Sequence, residues 1–162
     1  MASQELDKAI HMFRTAKAAS QSLANVEEFR VWYEGFTAQF DVPEEASVEQ
    51  VGVGGVTAEW VSAPGASEKK AVLYLHGGGY MIGSARTHRV PMFHLSKASG
   101  ARVLVLNFRL APEHPFRAAV EDSLTAYRWL LEQGILPRNI VIGGDSAGGG
   151  LTLATLVALR YM

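Results

Sequence analysis

The chain is expected to be an α/β protein built on a mostly parallel sheet, and three observations carry that expectation. From Ala71 onward, short apolar runs alternate with longer segments of helical spacing, the pattern of parallel strands covered by helices. Next, Gly144-Asp145-Ser146-Ala147-Gly148 follows the apolar run Asn139–Gly143 and opens an apolar helical segment. Strand, Gly-x-Ser-x-Gly, helix is a nucleophile-elbow arrangement. Its glycines permit a turn sharp enough to push the serine oxygen out over the end of a sheet. Finally, His76-Gly77-Gly78-Gly79 follows a second apolar strand, Ala71–Leu75. A glycine triplet there can aim bare backbone N–H groups at a developing oxyanion. Two such motifs, each at a strand exit, point to acyl transfer through a serine nucleophile.

The elements follow in order. Residues 4–19 read as a helix, with Leu6, Ile10 and Phe13 at helical spacing and Lys8, Arg14 and Lys17 left for water. Asn25-x-x-Glu28 resembles a capping box and opens a second helix. In it Val26, Phe29, Tyr33, Phe36 and Phe40 recur every three or four residues, a stripe that on spacing alone reads as packed on the core. Pro43 closes this helical region. Residues 48–53 and 56–62 alternate apolar with polar around Gly54-Gly55, a hairpin signal. Residues 63–67 form a surface loop. Strand 71–75 then leads through the glycine loop to a helix over 87–99, stopped by Gly100. Strand 102–107 leads through a Pro-rich turn to a helix over 117–133, with Val120, Leu124, Tyr127 and Leu131 as its buried stripe. Strand 139–143 delivers the serine turn.

Composition narrows the function. The 162 residues are 48% hydrophobic and 19% charged, which suits one globular domain or part of one. A net charge of −1 gives no electrostatic footprint for nucleic acid or an anionic membrane. The absence of Cys excludes a disulfide scaffold, a thiolate metal site and a cysteine nucleophile, and fits a cytoplasmic location. The N-terminus lacks a basic-then-apolar leader pattern. No run approaches the ~18 apolar residues of a membrane span. No His-x-x-x-His or carboxylate–histidine cluster suggests a metal. Gly143-Gly144-x-x-x-Gly148 lacks the spacing of a dinucleotide loop, and there is no P-loop.

Three segments carry a specific resemblance: His76-Gly77-Gly78-Gly79-Tyr80, Phe108–Phe116 and Gly144–Gly149. On these residues the chain resembles the hormone-sensitive-lipase family of esterases, within the α/β-hydrolase fold. Phe108 stands where that family usually has Tyr, Arg117 where it often has Pro, and Gly150 where Asn is frequent. The resemblance implies an N-terminal helical cap over 1–42 and the N-terminal part of a catalytic domain over 43–162. It turns the aromatic stripe of the second helix into a candidate acyl-binding surface. It implies Ser146 as nucleophile, with Gly78, Gly79 and Ala147 as oxyanion donors and His76, Gly77 and Asp145 in support. Short- to medium-chain acyl esters are the implied substrates, and no cofactor is required.

A serine esterase also needs a base and an acid to orient it, and in α/β hydrolases both follow the serine in sequence. The segment 147–162 contains no Asp, Glu or His. The chain therefore reads as the N-terminal portion of a longer enzyme, ending after the nucleophile helix, its partner being the missing C-terminal half. That leaves the strand at 139–143 without a neighbour on one side. Of the five histidines, His76 is expected to stabilise the glycine loop and His114 to be structural. His88 and His94 fall in or beside a helix, and His11 in the first one. Asp145 adjoins Ser146 and is expected to point away from it. Arg109 and Glu113 are expected to hold the Pro-rich turn. The competing reading is a hydrolase-like ligand-binding protein without catalysis, since the same family includes a plant hormone receptor. The oligomeric state stays open, a homo-oligomer included.

Overall fold

The structure, a computed structural model, describes residues 3–161. Met1, Ala2 and Met162, at the ends of the two expected regions, lie outside it. Two helices come first, α1 (Gln4–Ser20) and α2 (Val26–Thr37), then the hairpin β1 (Ser47–Val53) and β2 (Val56–Ser62). There follow β3 (Ser67–Leu75), α3 (Ala85–Ser99), β4 (Ala101–Asn107), α4 (Ala118–Glu132), a 3₁₀ turn at Pro137–Asn139, β5 (Ile140–Gly144) and α5 (Ala147–Arg160). The five strands form one mixed sheet in the order β1-β2-β4-β3-β5. The hairpin joins β4 antiparallel, whereas β4, β3 and β5 run parallel. Of these, β5 lies at the sheet edge.

Alternation along the strands divides the core in two, because successive side chains leave opposite faces. Ala71, Leu73, Leu75, Leu104 and Leu106 pack with Ala126 and Leu130 of α4 and Leu151 of α5. Val72, Val103 and Val105 face the other way, onto Ala85, Met92 and Phe93 of α3. The body is thus a three-layer sandwich.

Local chemistry sets the element ends. Ser84 closes a capping box with Thr87, so α3 starts at Ala85, two residues before the expected position. Gly100 stops it at φ 64°. At α2 the Asn25 carboxamide accepts from Glu28 N, but the Glu28 carboxylate reaches back to Ala24 N rather than to Asn25 N.

Two expectations are corrected. The residues of α4 that are buried are Ala118, Asp122, Ser123, Ala126 and Leu130. Val120, Leu124, Tyr127 and Leu131 are only partly buried, Val120 and Tyr127 packing at the margin of the core, while the most buried face includes Asp122, held by Arg109. The aromatic stripe of α2 does not enter the core either. Neither α1 nor α2 buries a single residue. Their aromatics pair with one another instead: Trp32 stacks on Phe36 at 5.6 Å, and Phe36 meets Phe13 and Phe40.

Candidate active site

Parallel strands end on the same side of a sheet, and here register makes the two motifs adjacent. Leu75, the last residue of β3, pairs with Gly144, the last of β5. The glycine loop and the serine turn therefore leave neighbouring strands at the same level.

Ser146 occupies φ 50°, ψ −120°, a sparsely populated region for a residue with a side chain. Its neighbours explain how the turn can hold it there. A Cβ on Gly148 would run into the carbonyl of Leu75, and one on Gly144 would meet the Leu75 oxygen and the Gly148 backbone. Only glycines let the turn press this closely on the exit of β3. The Ser146 side chain is exposed and caps no backbone group of α5. Ala147 is the first residue of that helix, so its N–H has no intrahelical acceptor.

The glycine loop is equally specific. Gly78 has φ 121°, with Ile82 O filling the space a Cβ would need, and Gly79 has φ 62°. The carbonyl of Gly78 accepts from Met81 N and Ile82 N, both at 3.0 Å. Among the described residues, the N–H groups of Gly78, Gly79 and Ala147 donate no hydrogen bond within the protein.

Asp145 ties the turn to the loop. Its Oδ1 accepts from Gly77 N at 2.8 Å and from the Tyr74 hydroxyl at 3.1 Å, and His88 Nε2 lies 3.4 Å away. The hydrogen bonds of this carboxylate go to β3 and the glycine loop, and among the described residues none goes to Ser146. Burial, and then the Asp145 charge, raise the Tyr74 hydroxyl above its ordinary value, so it remains a donor.

His76 is buried, stacks on Phe108 at 4.3 Å, and brings Nδ1 within 2.8 Å of Gly77 O. A carbonyl accepts only, so Nδ1 carries the proton. Burial is the main cause that lowers its pKa to about 4. His76 is a neutral, fixed wedge under the loop. His88 Nδ1 is engaged with Thr87 Oγ1 and Ser84 O. Among the described residues no histidine hydrogen-bonds Ser146, and no group of three or more His, Cys, Asp or Glu could hold a metal.

Arg109 holds the Pro-rich turn as expected, through Asp122. Glu113 does so through Arg30 of α2: its oxygens lie 2.9 and 2.8 Å from a guanidinium that also donates to Ala111 O of the same turn. The contacts of Arg30, Tyr74 and His88 have no signal in the sequence. Each contact spans more than fifty residues or relies on a buried polar group, and no short motif encodes it.

A family model described as the alpha/beta hydrolase fold matches residues 72–162. An esterase from the bacterial hormone-sensitive lipase family superposes with a TM-score of 0.94 at 51% identity, over 99% of this chain and 54% of that one. The chain belongs to the hormone-sensitive-lipase family of α/β hydrolases. A second structure, EstE5 soaked with p-nitrophenyl butyrate, is 47% identical with a TM-score of 0.84, covering 93% of this chain and 52% of that one. An acetyl-hydrolase of Streptomyces hygroscopicus is 53% identical over 110 residues, 68% of this chain and 36% of the relative. The chain thus spans about half the length of these solved members or less of the curated one. The five strands, the serine turn and the glycine loop of this family member all lie within that portion. No helix among the described residues is long and apolar enough to cross a membrane.

Proposed function

We propose that these residues form the nucleophile and oxyanion half of a serine carboxylesterase acting on short- to medium-chain acyl esters. The observation that carries the reading is a set of three unspent backbone donors, Gly78, Gly79 and Ala147, beside a strained, exposed Ser146. Ser146 Oγ attacks the ester carbonyl, the alcohol departs, and water releases the acyl group. The developing oxyanion takes the three N–H groups, of which Ala147's also sits at the positive end of the α5 dipole. Asp145, through Gly77 N, and His76, beneath the loop, keep the donors aimed. The base and its orienting acid come from polypeptide outside these 162 residues, and the mechanism needs no cofactor. Residues 1–42 act as the cap and residues 43–162 as the first part of the catalytic domain. The cysteine-free composition supports a cytoplasmic setting.

One observation favours the second reading, a ligand-binding protein without turnover: no base touches Ser146 among the described residues. The two readings separate in one experiment. The chain and its Ser146→Ala variant are incubated with p-nitrophenyl acetate, following both release and the mass of the protein. We expect slow acylation of the parent, seen as an acyl adduct in its mass that Ser146→Ala lacks, because the oxyanion donors still stabilise attack by the serine oxygen. Identical traces for the two proteins reject the nucleophile.

A further inference from the structure

Arg30 joins three parts of the molecule that lie far apart in sequence. Its Nε donates to Met81 O at 2.8 Å and its Nη2 to Ala111 O at 3.0 Å, while the fork of terminal nitrogens grips Glu113. Met81 sits just past the glycine triplet, and Ala111 and Glu113 belong to the Pro-rich turn after β4. Loop and turn also meet directly, since Ala111 N donates to Tyr80 O at 2.8 Å. One helical turn along the same face of α2, Glu34 accepts from the hydroxyl of Ser84, the N-cap of α3. The helix is therefore fixed by polar contacts at two successive turns.

Two apolar cavities, each of about 400 Å³, meet at Met81, whose carbonyl Arg30 holds. Val26, Phe29 and Gly78 line one, and Gly79, Phe116 and Leu151 line the other. Met81 lines both. An ester sends an acyl arm and an alcohol arm in different directions from its carbonyl. With that carbonyl at Gly78 and Gly79, the dividing wall between the arms is the main chain that Arg30 anchors.

We infer that Arg30 is a positioning residue that sets chain-length selectivity, by holding Met81 and the Pro-rich turn so that both cavities keep a fixed width. This rests on the reading of Gly78 and Gly79 given above. Arg30 acts through two carbonyls and a carboxylate and touches neither Ser146 nor the donors. Only a planar guanidinium, with five donors in a fixed fork, satisfies all three acceptors together. A lysine ammonium keeps the charge and loses the bridge.

The test reads binding, which needs no turnover. In a Ser146→Ala background, dissociation constants are measured for p-nitrophenyl acetate, butyrate and octanoate with Arg30, Arg30→Lys, Arg30→Ala and Glu113→Gln. Circular dichroism confirms that each is folded. We expect the butyrate-to-octanoate ratio to change roughly tenfold in both Arg30 variants, the scale on which an apolar pocket discriminates methylenes. Glu113→Gln should move it in the same direction by less. Equal weakening of all three esters, full rescue by lysine, or no ester binding to the Arg30 parent would each overturn the inference. Failure of the nucleophile reading shows elsewhere, as Ser146-independent acylation with the binding ratio still governed by Arg30.

Discussion

The sandwich body and the two N-terminal helices are held by different physics. In the body, Leu73, Leu75, Leu104 and Leu106 are fully buried, and each such side chain contributes about 1.5–3 kcal/mol by leaving water. In α1 and α2 no residue is buried, and the fixed points are Arg30 and Glu34. The body owes its position to apolar area, which is non-directional and summed over many residues. Of the helices, α2 owes its position to a few polar contacts with defined geometry, and α1 meets α2 through Phe13 and Phe36. Helices attached this way can shift without disturbing the sandwich beneath them.

The sharpest way to break the body is at its tightest approach. Gly148→Val places a branched side chain where a single Cβ already meets the Leu75 carbonyl, so the serine turn cannot close on β3. We expect no cooperative thermal transition in this variant. Leu73→Ala is milder, costing about 2–5 kcal/mol by loss of contacts and a residual cavity. A denaturant midpoint within error of the parent for either variant would show that β3 is not the centre of the fold.

This contrast also explains what was legible in the sequence. Strand positions in the body follow from alternation, and the serine turn and glycine loop follow from spacing, because each is a local consequence of backbone sterics. All five strands were found to within a few residues at their ends. In α4 the expected stripe reaches only the margin of the core, because the most buried face includes Asp122, whose pairing with Arg109 hydrophobicity alone does not show. The aromatic stripe of α2 reads as core on spacing alone and as an acyl-binding surface by resemblance, because spacing reports a shared face and not what covers it. Glu113 is legible as a polar anchor of its turn, but its partner, Arg30, is 83 residues away and no local pattern names it.

The two regions should also answer acid at different pH values. His76 carries a folded pKa of about 4 against an ordinary 6.5, burial being the main cause. The unfolded chain therefore binds a proton between these values and the folded body does not. Stability is full above about 6.5 and falls as the pH drops toward 4, by about 3 kcal/mol for a 2.5-unit difference. His76→Leu should flatten that slope in urea titrations at pH 7, 5.5 and 4. An unchanged slope would place the titrating group elsewhere.

The helices respond lower. The Arg30 hydrogen bond, first, and a backbone hydrogen bond hold Glu113 at about 2 against 4.5. A depressed carboxylate contributes above its unfolded pKa, and the contribution is lost as the pH falls from about 4.5 through 2. Amide exchange in α2 should therefore quicken across this interval relative to Glu113→Gln, which lacks the titration. Equal pH dependence in the two proteins would separate α2 docking from this ion pair.

The smallest expected effect lies on α1. Phe13 is 63% exposed and its ring meets Phe36 at 6.5 Å, so Phe13→Ala removes one contact between helices and none with the sheet. The global denaturant midpoint should move by no more than ~0.5 kcal/mol, as for surface sites in general. Exchange protection should fall in α1 alone, since local opening reports contacts that global unfolding does not. If the body instead lost ~2 kcal/mol or more, the scale of a core deletion, α1 would belong to the same cooperative unit as the sheet. The division between a body held by burial and helices attached to it by a few contacts would then have to be given up.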